Sequence, residues 1–226
     1  MKIALLSSTG ASVARRVQQH LFEQPAKYRD TGFELVFTDR QCGAQSFAAD
    51  FALPCHLIET SDAGTFSAKL TDALETQQVD YLILFFTRLL RGPILERFAG
   101  RLINFHPSLL PACPGQRGFE DTMASGALFF GSTVHWVDAG MDTGQPILQA
   151  VGRKDPNGDI NVYRHQVFAQ QVASLFQLML WLRSGRLCGQ TGTSRVRDAN
   201  YQADGIANPA WEPAAEALYH TVLSEL

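Results

Sequence analysis

Residues 81–86, Tyr81-Leu82-Ile83-Leu84-Phe85-Phe86, form an unbroken apolar run. A strand with one face in water alternates apolar and polar side chains, whereas a strand covered on both faces has no reason to. The run therefore reads as a central strand of a sheet clothed on both sides. Upstream, Ile3-Ala4-Leu5-Leu6 is a second such stretch, closed by Ser7-Ser8-Thr9-Gly10 and followed by Val13, Val17 and Leu21 at helical spacing. Between these two runs, residues 33–37 and 55–58 read as strands, and 44–51 and 66–75 as helices. Downstream, residues 102–105 form another strand, stopped at His106-Pro107 because proline cannot donate to a ladder. A long loop through Pro111, Pro114 and Gly118 follows. Residues 132–137 alternate, with Val134 and Trp136 on one face, and residues 146–151 supply a partner across the turn-rich stretch 138–144. A long helix over residues 161–183 carries Val167, Leu175, Leu178 and Leu182 and ends before Gly185. Strands alternating with helices predict an α/β fold, a mainly parallel twisted sheet with helices on both faces. One domain over residues 1–200 is expected, with 201–226 as a C-terminal tail packed on it or extending from it.

Composition narrows the class. The 226 residues are 46% hydrophobic and 18% charged, which suits a globular chain with a sizeable core. A net charge of -3 argues against a nucleic-acid partner, whose phosphates call for a basic stripe. Cys42, Cys55, Cys113 and Cys188 are far apart, with no C-x-x-C pair, and read as buried free thiols rather than metal ligands. The apolar run at residues 3–6 is too short for a signal peptide or membrane span. The expectation is a soluble cytoplasmic protein, monomer or homodimer, with no membrane, nucleic-acid or metal partner.

Chemistry concentrates at the end of the strand over residues 102–105. Asn104 and His106 are two apart, so their side chains project from one face, at the carboxyl edge where open α/β sheets bind ligands. An amide beside an imidazole suits reaction at a carbonyl: the amide donates to a developing oxyanion, and the imidazole donates or moves a proton. The same pair in another setting would only pin a loop.

The setting is distinctive. Asn104-Phe105-His106-Pro107-Ser108-Leu109-Leu110-Pro111, followed by Pro114-Gly115, resembles the active-site signature of folate-dependent formyltransferases. Gly131-Ser132-Thr133-Val134-His135-Trp136-Val137, then Met141-Asp142-Thr143-Gly144 and Pro146-Ile147-Leu148-Gln149, resembles that family's second block, in the same order. With weaker similarity at the first strand and at Arg88-Leu89-Leu90, the likeness covers most of residues 1–190. It implies a Rossmann-like formyltransferase fold and an enzyme that moves a formyl group from 10-formyltetrahydrofolate to the amine of a small acceptor, without a metal. Carried over residue by residue, it implies that Asn104, His106 and Asp142 are catalytic and that Arg88, Leu89, Leu90, Gly140 and Met141 line the folate site. It places Gly10, Ala11, Ser12, Pro107 and Gln171 on the acceptor side. His135, on a strand of the second block, reads as a packed core histidine.

Two departures fall on that acceptor side. Purine-pathway members carry a glycine- and asparagine-rich phosphate loop after the first strand, where this chain has Thr9, Gly10, Ala11, Ser12 and Val13. They also carry an amine-facing glutamate in the long helix, where ungapped alignment places the neutral Gln171. The expectation is therefore an acceptor other than glycinamide ribonucleotide, such as an amino sugar or a modified amino acid. The alternative is glycinamide ribonucleotide itself, as in the phosphoribosylglycinamide formyltransferases of purine biosynthesis. The methionyl-tRNA branch has a further C-terminal domain and a glycine where Pro107 stands. Other classes fit less well. Asp142-Thr143-Gly144 matches the aspartic-protease triplet but does not end an apolar strand; the opening strand, turn and helix lack G-x-G-x-x-G. A non-catalytic folate-binding protein would not need all of Asn104, His106 and Asp142.

Overall fold

A computed structural model describes residues 1–28, 30–187 and 195–225. The strand over 81–86 is realised as β4 (Tyr81–Phe85), between β1 (Ile3–Ser7) and β5 (Leu102–His106). β2 (Leu35–Thr38) and β3 (Cys55–Leu57) extend the sheet beyond β1, and all contacts among these five strands are parallel. On the other side β6 (Phe129–Trp136), β7 (Pro146–Arg153) and β8 (Ala207–Asn208) continue it antiparallel. Among the described residues the sheet order is β3-β2-β1-β4-β5-β6-β7-β8.

The parity of each strand sorts its side chains between two cores. Ile3, Leu5, Ile83, Ile103 and Phe105 face one way, joined by Val134 and Trp136 as expected, and pack with α1 (Ser12–Glu23) and α6 (Ile160–Arg183). Ala4, Leu6, Leu82, Leu84 and Leu102 face the other, against α3 (Ala63–Thr76) and α4 (Ile94–Arg97). α2 (Gly43–Asp50) contributes Ala44, Phe47 and Ala48 to the first core. Asn104 and His106 have the parity of Leu102, so they belong to the second face, just beyond the point where apolar cover ends.

From Val172 to Met179 every residue of the long helix is buried, because both its sides are covered there. The sheet lies on one side, and α7 (Pro213–Leu223) brings Ala215, Leu218 and Val222 to the other. The C-terminal tail thus adds a strand and a packed helix. α5 (Gly118–Ala124), also unforeseen, occupies part of the segment read as a loop; its seven residues are too short to show a helical period. β5 continues through His106, one residue beyond expectation, because β6 pairs His106 with Thr133 and the break falls at Pro107. β2 begins at Leu35 rather than Phe33, whose backbone N–H is taken by the Gln18 side chain. β6 begins at Phe129, extending the ladder against β7 as far as Arg153.

The thiols are less buried than expected. Cys55 is exposed on the edge strand β3, while Cys42 at the start of α2 and Cys113 in the loop after β5 are half-buried; Cys188 lies outside the described residues. No described helix is long and apolar enough to cross a membrane.

Candidate active site

Three loops lie side by side along the carboxyl edge of the parallel strands, following β1, β4 and β5. Adjacent strands are about 4.8 Å apart, so the β1 and β5 loops stand roughly 10 Å from one another with the β4 loop between them. Onto the β5 end β6 lays two polar side chains, with His135 opposite Asn104 and Thr133 opposite His106. The connection from β6 to β7 folds back over this group and delivers Asp142.

Asp142 has a left-handed backbone, φ 54°, uncommon outside glycine but accessible to aspartate. Its neighbours hold it there. Asp138 Oδ1 accepts from Gly140 N at 3.0 Å and Thr143 Oγ1 at 2.7 Å, which closes the turn. Asp142 Oδ2 accepts from Gly115 N at 2.7 Å, and Gly115, at φ +92°, occupies backbone space that side chains rarely enter. The carboxylate then reaches the whole cluster. Oδ2 is 3.4 Å from His106 Nδ1; Oδ1 accepts from Asn104 Nδ2 at 3.5 Å and lies 3.6 Å from His135 Nε2. Asn104, His106 and Asp142, far apart in sequence, are therefore brought together.

His135 joins them, and sequence reasoning missed its role. It is buried, 2% exposed, as a core residue would be, but its ring is a polar partner. Nδ1 donates to the Trp136 carbonyl at 2.9 Å, which leaves Nε2 of the neutral ring to accept from Asn104 Nδ2 at 3.2 Å. Desolvation lowers its pKa from the usual 6.5, outweighing the Trp136 hydrogen bond and the Asp142 charge, so the neutral form is favoured. The missing signal was the antiparallel register of β5 and β6, which sets His135 opposite Asn104.

His106 Nε2 donates to the Cys113 carbonyl at 2.8 Å, and the same oxygen accepts from Ser108 Oγ at 3.1 Å. The loop carrying that carbonyl is tied down by Thr133 Oγ1. It donates to Ser108 O at 2.7 Å and accepts from Leu110 N and Gln149 Nε2, each at 3.0 Å.

Of the folate-side candidates, Arg88 has its side chain committed to the scaffold. Its guanidinium donates to the carbonyls of Thr60 and Ser61, lies over the Phe66 ring and stands 3.6 Å from Asp39 Oδ2. Buried Asp39 is also bound bidentately by Arg40. Burial pushes its carboxyl pKa up, yet the Arg40 hydrogen bond and the charges of Arg40 and Arg88 bring it below the ordinary range. What residues 88–90 present is backbone: among the described residues, the amides and carbonyls of Arg88, Leu89 and Leu90 have no hydrogen-bond partner. Leu89 is exposed and Leu90 buried; Met141 is exposed beside Gly115, and Gly140 is half-buried in the turn before it. Free backbone groups beside apolar side chains fit the edge of a flat heterocycle such as the pterin of a reduced folate.

The acceptor candidates divide. Pro107 adjoins the trio and is half-buried. Gly10 and Ser12 are exposed, and Ala11, at φ 55°, caps α1 with no side-chain hydrogen bond and no acid in the first turn. Gln171 lies half-buried on α6, and no contact joins it to Asn104, His106 or Asp142 among the described residues. No group of three or more His, Cys, Asp or Glu is placed to hold a metal among the described residues.

The profile of the family described as Formyl transferase matches residues 1–177. Phosphoribosylglycinamide formyltransferase from Mycobacterium tuberculosis is 31% identical over 184 residues, covering 76% of this chain and 83% of that protein. The crystal structure of glycinamide ribonucleotide transformylase 1 from Symbiobacterium toebii is similar with a TM-score of 0.79 at 27% identity, over 88% of this chain and 94% of that one. Phosphoribosylglycinamide formyltransferase from Streptococcus pneumoniae gives a TM-score of 0.70 at 26% identity, over 80% and 98%.

Proposed function

Since this chain belongs to the formyl transferase family, we propose that it carries the formyl group of 10-formyltetrahydrofolate to the primary amine of glycinamide ribonucleotide, with Asn104, His106 and Asp142 at the reacting carbon. The observation that carries the reading is the convergence of these three side chains beside a folate-compatible backbone segment.

The donor supplies an activated formyl carbon and leaves as tetrahydrofolate. A C–N bond to the acceptor amine forms, the bond to the folate nitrogen breaks, and one proton passes from amine to folate. Negative charge builds on the formyl oxygen during attack. Asn104 has one amide hydrogen anchored on His135; the other, stretched to 3.5 Å from Asp142, is the one available to that oxygen. His106 Nε2 stays on the Cys113 carbonyl, so Nδ1, 3.4 Å from Asp142 Oδ2 and without a hydrogen bond of its own among the described residues, is the atom that donates to the same oxygen or moves the proton, with Asp142 beside it to hold the ring.

Glycinamide ribonucleotide is the acceptor in the names of the relatives, and it replaces the expectation of an amino sugar or modified amino acid. That expectation weighed side chains, whereas an anion at a helix N-terminus is held largely by backbone N–H groups. The amides of Ser12, Val13 and Ala14 at the start of α1 have no partner among the described residues. Substitutions at Thr9, Ala11 and Val13 leave those amides in place.

Steady-state kinetics with both substrates test the proposal. A kcat/KM for glycinamide ribonucleotide within about 10⁴ to 10⁸ M⁻¹s⁻¹ is expected. A value orders of magnitude lower, with micromolar folate binding retained, would reject this acceptor. No formyl transfer to any of a panel of primary amines would reject the enzyme reading itself.

A further inference from the structure

From its contact with the catalytic imidazole we infer that Gly118 is a positioning residue: the absence of a side chain there lets α5 close against His106 and hold its ring in the reactive orientation. The inference rests on His106 acting as proposed above. A Cβ at position 118 would lie 2.8 Å from His106 Cε1, closer still to Nε2, and 3.1 Å from the Cys113 carbonyl oxygen. Non-bonded carbons settle at about 3.5 to 4.0 Å, so one methyl group requires a shift on the order of 1 Å.

The helix cannot easily supply that shift. Gly118 N donates to Gly115 O at 3.3 Å, and its own carbonyl accepts from Thr122 Oγ1 at 2.7 Å. Phe119 packs in a small cluster with Phe130, Tyr163 and Val167. At the other end of α5, Lys154 Nζ donates to the carbonyls of Thr122, Met123 and Ser125. The helix is thus pinned at both ends and along its side. The imidazole is the end of a side chain with two rotatable bonds, its polar contacts the Cys113 carbonyl on Nε2 and the Asp142 carboxylate near Nδ1, with Gly118 along the edge between Nε2 and Cε1. A methyl group at 118 therefore displaces the ring, breaking its bond to Cys113 and its approach to Asp142, before it displaces the helix.

A double-mutant cycle with His106 separates this from an ordinary helix defect. Gly118→Ala is expected to lower kcat about a hundredfold, the cost of misplacing a reacting group by about 1 Å, with the folate KM changed less than about threefold. Gly126→Ala, where the space around the glycine is open, is the control with unchanged kcat. In a His106→Ala background the vacated ring space accepts the methyl group, so Gly118→Ala should leave the residual kcat unchanged. Wild-type kcat in Gly118→Ala, or an equal cost in both backgrounds, would overturn the inference. Should Gly118→Ala fail to fold, folding of the double variant supports the inference and its failure overturns it. A fully active His106→Ala would overturn the catalytic reading, an outcome distinct from equal costs around the cycle.

Discussion

Asp142 and His135 form the polar frame on which Asn104 and His106 are mounted. Replacing Asp142 with Asn keeps the size of the side chain but removes the charge facing His106 Nδ1, and puts an NH₂ group among partners that already donate, Gly115 N and Asn104 Nδ2. Asp142→Asn is expected to lower kcat by about a hundredfold or more, the scale for losing acid–base or oxyanion support, with folate KM little changed; initial-rate kinetics check it. His135 gives a signature in pH. Its folded pKa is below 6.5, so beneath that value the unfolded chain binds more protons than the folded one. Its contribution is fully present above about pH 6.5 and is lost as the pH falls from there through the folded value. Thermal unfolding followed from pH 7.5 to pH 5.5 should show a smaller fall in midpoint for His135→Gln than for the native chain; equal falls would mean that His135 is not buried in neutral form.

At the scale of elements, the loop after β5 is held by the contact of β6 with it. Thr133 Oγ1 satisfies Ser108 O and Leu110 N at once and is fully buried. Thr133→Val has nearly the same shape but strands both backbone groups, at a cost of about 1 to 3 kcal/mol in urea unfolding. The same loop presents the Cys113 carbonyl to His106, so kcat should fall as well, and Thr133→Ser should restore both. A valine variant with native kcat would mean that the loop positions nothing.

Across the whole molecule, the proposed catalytic pair Asn104 and His106 and the C-terminal helix lie on opposite faces of the sheet. Asn104 and His106 share the parity of Leu102, whereas α7 packs on α6 over the other core. Leu218, 2% exposed on α7, belongs to that core. Leu218→Ala should destabilise the fold by about 2 to 5 kcal/mol while leaving kcat unchanged below the unfolding transition. A specific loss of kcat in the folded variant would show coupling across the sheet.

Alternation and spacing are local properties, so residues 81–86, the Asn104 and His106 pair on one strand face, and the order of β1 to β7 with α1, α2, α3 and α6 were legible in the chain itself. The resemblance of two sequence blocks added Asp142. Pairing is not local. The register that sets His135 opposite Asn104, the fold-back that carries Asp142 to His106, and the docking of α5 through Gly118 depend on segments distant in sequence. The same holds for Arg88, a surface charge when read in isolation and a folate-site residue by resemblance, whose guanidinium is held by Asp39 and two carbonyls. In the tail, β8 is two residues long and forms only by pairing with β7, while α7, whose Ala215, Leu218, Tyr219 and Val222 recur at helical spacing, takes its place by packing on α6. Side-chain patterning determined which faces this chain must bury, and only tertiary packing decided which polar groups meet once those faces are closed, because burial constrains area while hydrogen bonding constrains partners.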